Sequence, residues 1–380
     1  MSLGKIMLGL RSVLLCRGPS WTRGLCRHAL REHPDQVKKL RVAGLLTGVA
    51  LLLAACSSTS PAVSPKPSGS RPSPATISVT YVSGLQNGGY LVEGIHQGYF
   101  KAQGLTVHLV EVASAPLEVD AVQSGSAQFL SLGPGADLFP MKGLVKYLFA
   151  DGVSLTDSVV GNKSDGVTTP ASLKGKKVLV PFGTTGQLIL IEALQQAGLK
   201  LSDVVQLNTT PDELVSGFDG NSAPVVAAWA PLTTEILNTD HSAVTIASDY
   251  TFYPKTVLPL GWGVSPTYAA THPSVVKRFI IAMLESATYV KEHLSATAVL
   301  TAQMTHVSLP LLTQTEHMAV YFSATQIARN YASRLEEKWL LRENQLFIQG
   351  GLLPSMVAFT KYNGGQAIPA ACAAAVGCHA

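Results

Sequence analysis

The stretch from Lys176 to Leu194, KKVLVPFGTTGQLILIEAL, constrains the fold more than any other. Val178, Leu179, Val180 and Pro181 form a short apolar run of buried-strand length, and Leu188, Leu190, Ile191 and Leu194 then recur at helical spacing. Between them lies Gly183-Thr184-Thr185-Gly186. Glycines let backbone come close to a ligand, threonine hydroxyls add donors, and the following helix aims its unpaired N–H groups and positive dipole end at the same spot. That is the build of a small-anion cradle. It is equally the build of an ordinary βα turn with a Thr N-cap.

The pattern on either side repeats it. ISVTYV alternates like a strand, Gly84 to Gly89 turns into a helix ending near Gly98-Tyr99-Phe100, and LTVHLVEV from Leu105 is the next strand. A helix over Leu117 to Gln123, the strand AQFLSL and a Gly133-Pro134-Gly135 loop follow. Beyond the central stretch come VVQLN from Val204, a short helix from Pro211 to Gly217, the buried strand PVVAAW, a helix from Pro231 to Asn238 and VTIAS from Val244. Such alternation predicts an α/β protein with parallel sheets flanked by helices. Lys176 to Ser248 reads as a compact lobe inserted into a larger one. After Pro266 the pattern changes to amphipathic helices over Pro273 to Glu292, Ala296 to Thr305, Met318 to Tyr331 and Glu336 to Gln349. With 380 residues, 47% hydrophobic and 14% charged, the chain has the material for two sizeable cores.

The formal charge of +4 comes from the N-terminus. Residues 1–55 hold nine Lys/Arg against two Asp/Glu, leaving 19 basic and 22 acidic residues beyond them, a net of −3 and no basis for nucleic-acid binding. Lys38, Lys39 and Arg41 precede 14 uncharged, mostly apolar residues, Val42 to Ala55, too short for a comfortable membrane span and right for a signal h-region. The first 36 residues are long and Arg-rich for a leader. Initiation at Val37 would give the compact presequence VKKLRVAGLLTGVALLLAAC, so residues 1–36 are expected to reflect a misassigned start. Ser57 to Ala75 is rich in Ser and Pro and reads as a flexible tether. Cys372 and Cys378 stand in an Ala-rich tail, and in an exported protein the two can pair, closing a loop too short to add much global stability.

Leu53-Ala54-Ala55-Cys56 resembles the lipobox of bacterial lipoproteins, which implies lipidation of Cys56 and cleavage just before it. The segment from Ala75 to about Lys291 resembles the extracytoplasmic substrate-binding proteins of ABC importers for nitrate, taurine, alkanesulfonates and thiamine pyrimidine precursors. Gly98-Tyr99-Phe100 with Gly104-Leu105-Thr106-Val107, Asp151 to Pro181 ending in SLKGKKVLVP, GTTGQLILIEALQQAGL, and Asn208 to Trp229 followed by Ala230-Pro231 carry the likeness, in order and spacing. It implies a two-lobed type II periplasmic-binding-protein fold, with two crossover strands as a hinge and one ligand trapped by closure. The implied organisation is a leader over 1–55, a lipidated tether over 56–75, lobe one over 76–165 plus 256–380, and lobe two over 166–255.

Ligands of open α/β sheets sit beyond the carboxyl ends of strands. On that rule and the resemblance, the candidate ligand-binding residues are Gln86, Asn87, Tyr90, Ser131, Gly133, Thr184, Thr185, Gly186, Gln187, Trp229 and Trp262. The resemblance places the aromatic at Trp229 in the pocket, against an apolar part of the ligand. Lys176 to Ser248 contains no arginine, so bidentate capture of a carboxylate or phosphate is not expected from lobe two. Neutral donors suit a weakly hydrated monoanion such as a sulfonate, or a neutral heterocycle. Taurine-type members tend to carry Ser-Thr-Thr-His at Gly183 to Gly186 and a carboxylate at Ala230, which leaves an ammonium group without its partner here.

No paired metal-ligand histidines, nucleophile elbow or P-loop appears, so neither cofactor, metal nor catalysis is expected. The implied function is capture of a small sulfonate-like anion by a monomer on the outer face of the cell membrane, with delivery to permease and ATPase subunits. Other functions on the same fold are a ligand-sensing module and a pyrimidine-synthase-like enzyme. The lipid anchor makes a direct prediction: the parent protein partitions into the detergent phase on cloud-point separation, and Cys56→Ser moves it to the aqueous phase.

Overall fold

The computed structural model describes residues 73–379. The expected leader, Cys56 and nearly all of the tether lie outside the described residues. In chain order the strands are β1 (Ala75–Val82), β2 (Leu105–Val112), β3 (Phe129–Leu132), β4 (Lys146–Ser154), β5 (Asp157–Asn162), β6 (Lys177–Val180), β7 (Val205–Asn208), β8 (Val225–Trp229), β9 (Ala243–Ser248), β10 (Pro259–Val264) and β11 (Ala319–Tyr321). They form two sheets. One is six-stranded in the order β11–β4–β10–β3–β1–β2, the other five-stranded in the order β7–β6–β8–β5–β9.

The expected parallel pairing holds where a helix connects neighbouring strands. Thus β1 pairs in parallel with β2 and β3, and β6 with β7 and β8. The strands that carry the chain between lobes depart from it: β10 runs antiparallel to β3 and β4, and β5 antiparallel to β8 and β9. The first crossing is the two-residue link Leu155-Thr156 between β4 and β5, and the second runs from β9 to β10. Strand β5 therefore belongs wholly to the second sheet, upstream of the 165/166 boundary expected from sequence. Packing explains its place, because Val159 and Val160 are fully buried in the two cores on either side of that sheet.

The helix expected out of Gly84 to Gly89 begins at once, as Leu85–His96, and includes Asn87 and Gly88. One local expectation changes. Met318 to Tyr331 is not helical throughout, since β11 adds to the edge of the six-stranded sheet before the helix Ala324–Ala332.

The larger core lies under the helix Pro273–Glu292, where Phe279 stacks on Phe129 with ring centroids 4.0 Å apart and meets Trp262 edge-on at 6.1 Å. The Cys372–Cys378 disulfide is formed and closes a local loop in the C-terminal tail, while burial of both cysteines in this core seats the tail on lobe one.

Lobe one also buries carboxyl groups without a cation beside them. Glu336 accepts a hydrogen bond from the Ala150 N–H, and Asp151 one from the Trp262 indole. Burial pushes both acids up to about 8, outweighing those bonds. In the unfolded chain the same groups ionise near pH 4. Between those limits the folded state holds protons that the unfolded state has lost, so stability falls as pH rises, by up to about 1.4 kcal/mol per pH unit for each group. The melting temperature is expected to be highest near pH 4 to 5 and to decline towards pH 8, with a shallower decline in Glu336→Gln.

Candidate functional site

A narrow cleft opens between the lobes. Its walls are the carboxyl ends of β1, β3, β6 and β8 and the loops that leave them, together with the first crossing and the helix Ala115–Gln123. Topology sets this place, since each of those strands points its end towards the space between the sheets.

Six of the candidates named from sequence line it: Gln86, Asn87, Gly133, Thr184, Thr185 and Trp229. Gln86 and Asn87 lie in the first turn of the helix after β1. Trp229, at the end of β8, is half-buried and forms one wall. The other five do not line the cleft, each for a physical reason. Tyr90 is fully buried in the lobe-one core and donates its hydroxyl to the Asp151 carbonyl at 3.1 Å. Trp262 is equally buried, packed on Phe279 with its indole N–H on Asp151. Ser131 is buried beneath the cleft and donates to Glu118. Gly186 lies against β8, where a Cβ would overlap the Ala227 carbonyl. Gln187 braces its own loop, accepting from the Gly183 N–H at 3.1 Å and donating to Gln206 at 3.0 Å.

The loop that looked like an anion cradle is therefore largely satisfied from within. Asn208 accepts from the Phe182 N–H at 3.0 Å, and the Thr184 hydroxyl donates to the Pro181 carbonyl at 2.6 Å. Gly135, from the opposite lobe, packs onto the start of the helix Thr185–Gln196, and a Cβ there would overlap the Thr184 carbonyl and the Thr185 nitrogen. The two lobes touch at this point because residue 135 has no side chain.

Sequence reasoning missed two acidic groups that line the cleft, Glu118 and Asp157. Glu118 shares the buried helix face with Ala115, Val119 and Val122, and a carboxylate on that apolar face was the legible signal. Its Oε1 accepts from the Ser131 hydroxyl at 2.7 Å and the Ser131 N–H at 3.1 Å. Burial nevertheless pushes it up to about 8. Asp157 stands at the first crossing. Its Oδ2 accepts from the Ser154 hydroxyl at 2.6 Å, and its N–H donates to Asp249, on the second crossing, at 3.2 Å. Burial, then the Asp249 carboxylate, holds Asp157 well above the usual carboxylate range. Among the described residues, no Lys, Arg or His lines this cleft.

Two α/β lobes around one such cleft define the two-lobed periplasmic-binding-protein fold, and comparison with known proteins agrees. The family model described as NMT1/THI5 like matches residues 87–296. This chain belongs to that family. A Brucella abortus (strain 2308) protein, named no more specifically than as a binding protein, is 32% identical over 191 residues, 50% of this chain and 59% of the relative. The taurine-binding periplasmic protein of Escherichia coli (strain K12) is 27% identical over 184 residues, 48% of this chain and 56% of the relative. The chain spans less than two thirds of the length of these relatives. The periplasmic nitrate-binding protein of Synechocystis PCC 6803 superposes with a TM-score of 0.68 at 15% identity, over 80% of this chain and 89% of that one. The alkanesulfonate-binding protein of Xanthomonas axonopodis pv. citri, bound to MOPS, superposes with a TM-score of 0.63 at 18% identity, over 77% and 98%. At such identities the likeness is one of fold.

The contact at Gly135 can be tested directly. In Gly135→Ala the added methyl forces the lobes apart at Thr184–Thr185, and overpacking of this kind costs about 1 to 3 kcal/mol. A lower melting temperature and a larger radius of gyration by small-angle scattering are the expected outcome.

Proposed function

We propose that this chain is the extracytoplasmic substrate-binding component of an ABC importer, a lipid-anchored monomer that closes two lobes over one small oxygen-rich ligand and hands it to a permease. The observation that carries the reading is the lining of the cleft: uncharged donors from both lobes, Gln86 and Asn87 on one side and Thr185 on the other, beside an aromatic wall. Neutral donors hold a weakly hydrated anion such as a sulfonate or nitrate, and the ligands named for the taurine-, nitrate- and alkanesulfonate-binding relatives are of that kind. A neutral heterocycle is the second reading, favoured by Trp229, whose face offers a stacking surface, and by the absence of Lys and Arg from the described lining.

Binding by a preformed two-lobed site is detectable without knowing the ligand in advance. Thermal shift and tryptophan fluorescence against ethanesulfonate, taurine, nitrate and aminopyrimidines will identify a saturable ligand, which stabilises by about 2.7 kcal/mol at a hundredfold excess over Kd. Against that ligand, Thr185→Ala and Trp229→Ala are each expected to weaken binding by about tenfold, near 1.4 kcal/mol. Parent-like affinity in both variants would place the ligand elsewhere.

A further inference from the structure

Glu118 is a cleft carboxyl with a buried oxygen that no hydrogen bond accounts for. Its Oε1 takes both donors that Ser131 offers, while Oε2 has no partner in a side chain only 1% exposed. Gln86, 8% exposed, lines the same cleft with its Nε2 also unpartnered. Buried polar atoms are satisfied as a rule, so a pair left open on one cavity points to a ligand that completes them. A charged Oε2 would repel an oxyanion, and no cation in the described lining is placed to cancel it. A protonated Oε2 does the opposite: with Oε1 occupied as the acceptor, the proton belongs on Oε2, which becomes a second donor in the lining that holds the Gln86 amide.

We infer that Glu118 meets the ligand as a neutral acid, its Oε2–H donating to a ligand oxygen, so that it serves as a specificity-determining donor in place of arginine. This rests on the small-anion reading of the cleft and adds a rule to it, that anion and proton are held together. Burial of the carboxyl points the same way. The other titratable group in the cleft is Asp157, which leans on Ser154 and Asp249. Glu111 and His306, 3.3 Å apart, belong to the outer mouth.

The sign of the pH dependence is the test. Ethanesulfonate keeps its charge at every accessible pH, so any change in its affinity reports the protein. Titration calorimetry is expected to give a flat affinity below about pH 7 and a fall approaching tenfold per pH unit above about pH 8, with net proton uptake in that upper range. Glu118→Gln, which keeps an N–H donor, should bind within a few-fold of the parent with a flat profile, whereas Glu118→Ala should lose at least about tenfold. The fall should persist in Asp157→Asn. An affinity that rises with pH, or a fall that survives in Glu118→Gln, overturns the inference. Infrared difference spectroscopy of the ligand-free protein supplies an independent arm: at pH 7 the parent shows a protonated-carboxyl band that Glu118→Gln lacks, and its absence overturns the inference even if ethanesulfonate does not bind. Failure of ethanesulfonate to bind with that band present removes the sulfonate ligand and leaves Glu118 a neutral donor.

Discussion

The hydrogen bonds among Ser154, Asp157 and Asp249 hold together the only two segments by which the described chain passes between its sheets. Ser154 ends the last strand of lobe one before the first crossing, Asp157 begins lobe two, and Asp249 follows β9 as the chain turns back. The Ser154 N–H also donates to the Leu258 carbonyl at 2.9 Å, so the two crossings are tied side by side. Everything that makes the cleft follows from that tie. Because the first crossing is short and the second is joined to it, the carboxyl ends of β1 and β3 face those of β6 and β8 across a narrow gap. Two buried acids with raised proton affinity, Asp157 and Asp249, stand at that junction.

The architecture was legible because it depends on patterns that repeat: apolar strand runs, helices at fixed spacing, and a return to helices after the second lobe. The pairing directions of β5 and β10 were not legible. A strand that leaves one sheet for another has the same composition as one that stays, and only long-range pairing settles its direction. The lobe boundary slipped for the same reason, as Val159 and Val160 read as an apolar strand whichever core receives them.

The site was half legible. Residues that follow a strand and begin a helix, such as Gln86, Asn87, Thr184 and Thr185, line the cleft by rule of topology. Trp262 and Tyr90 could not be separated from Trp229 by sequence, because an aromatic within a strand, at its end or in the second turn of a helix faces core or cavity according to packing that the local pattern does not contain. Gly186 and Gln187 look like ligand groups for the same reason that they serve the loop: small size and amide chemistry suit close packing and internal bracing as well as binding. Glu118 and Asp157 passed unnoticed because isolated acids are ordinary on helix surfaces and at strand ends, and what sets these two apart is burial.

The helix Leu335–Gln349 gives the molecule a bound spine. From lobe one it reaches the back of the helix Thr185–Gln196, where Arg342 bridges Glu192 at 3.3 Å, Gln195 meets Gln349, and Gly350 lies against Ile191. Ile191 and Leu188 sit in a core made otherwise of lobe-one side chains and Leu201. A clamp stitched on that side resists sliding and twisting of its halves and yields most easily by swinging apart at the mouth. Such a molecule would open from one side, by its lips parting rather than by its halves shearing past each other.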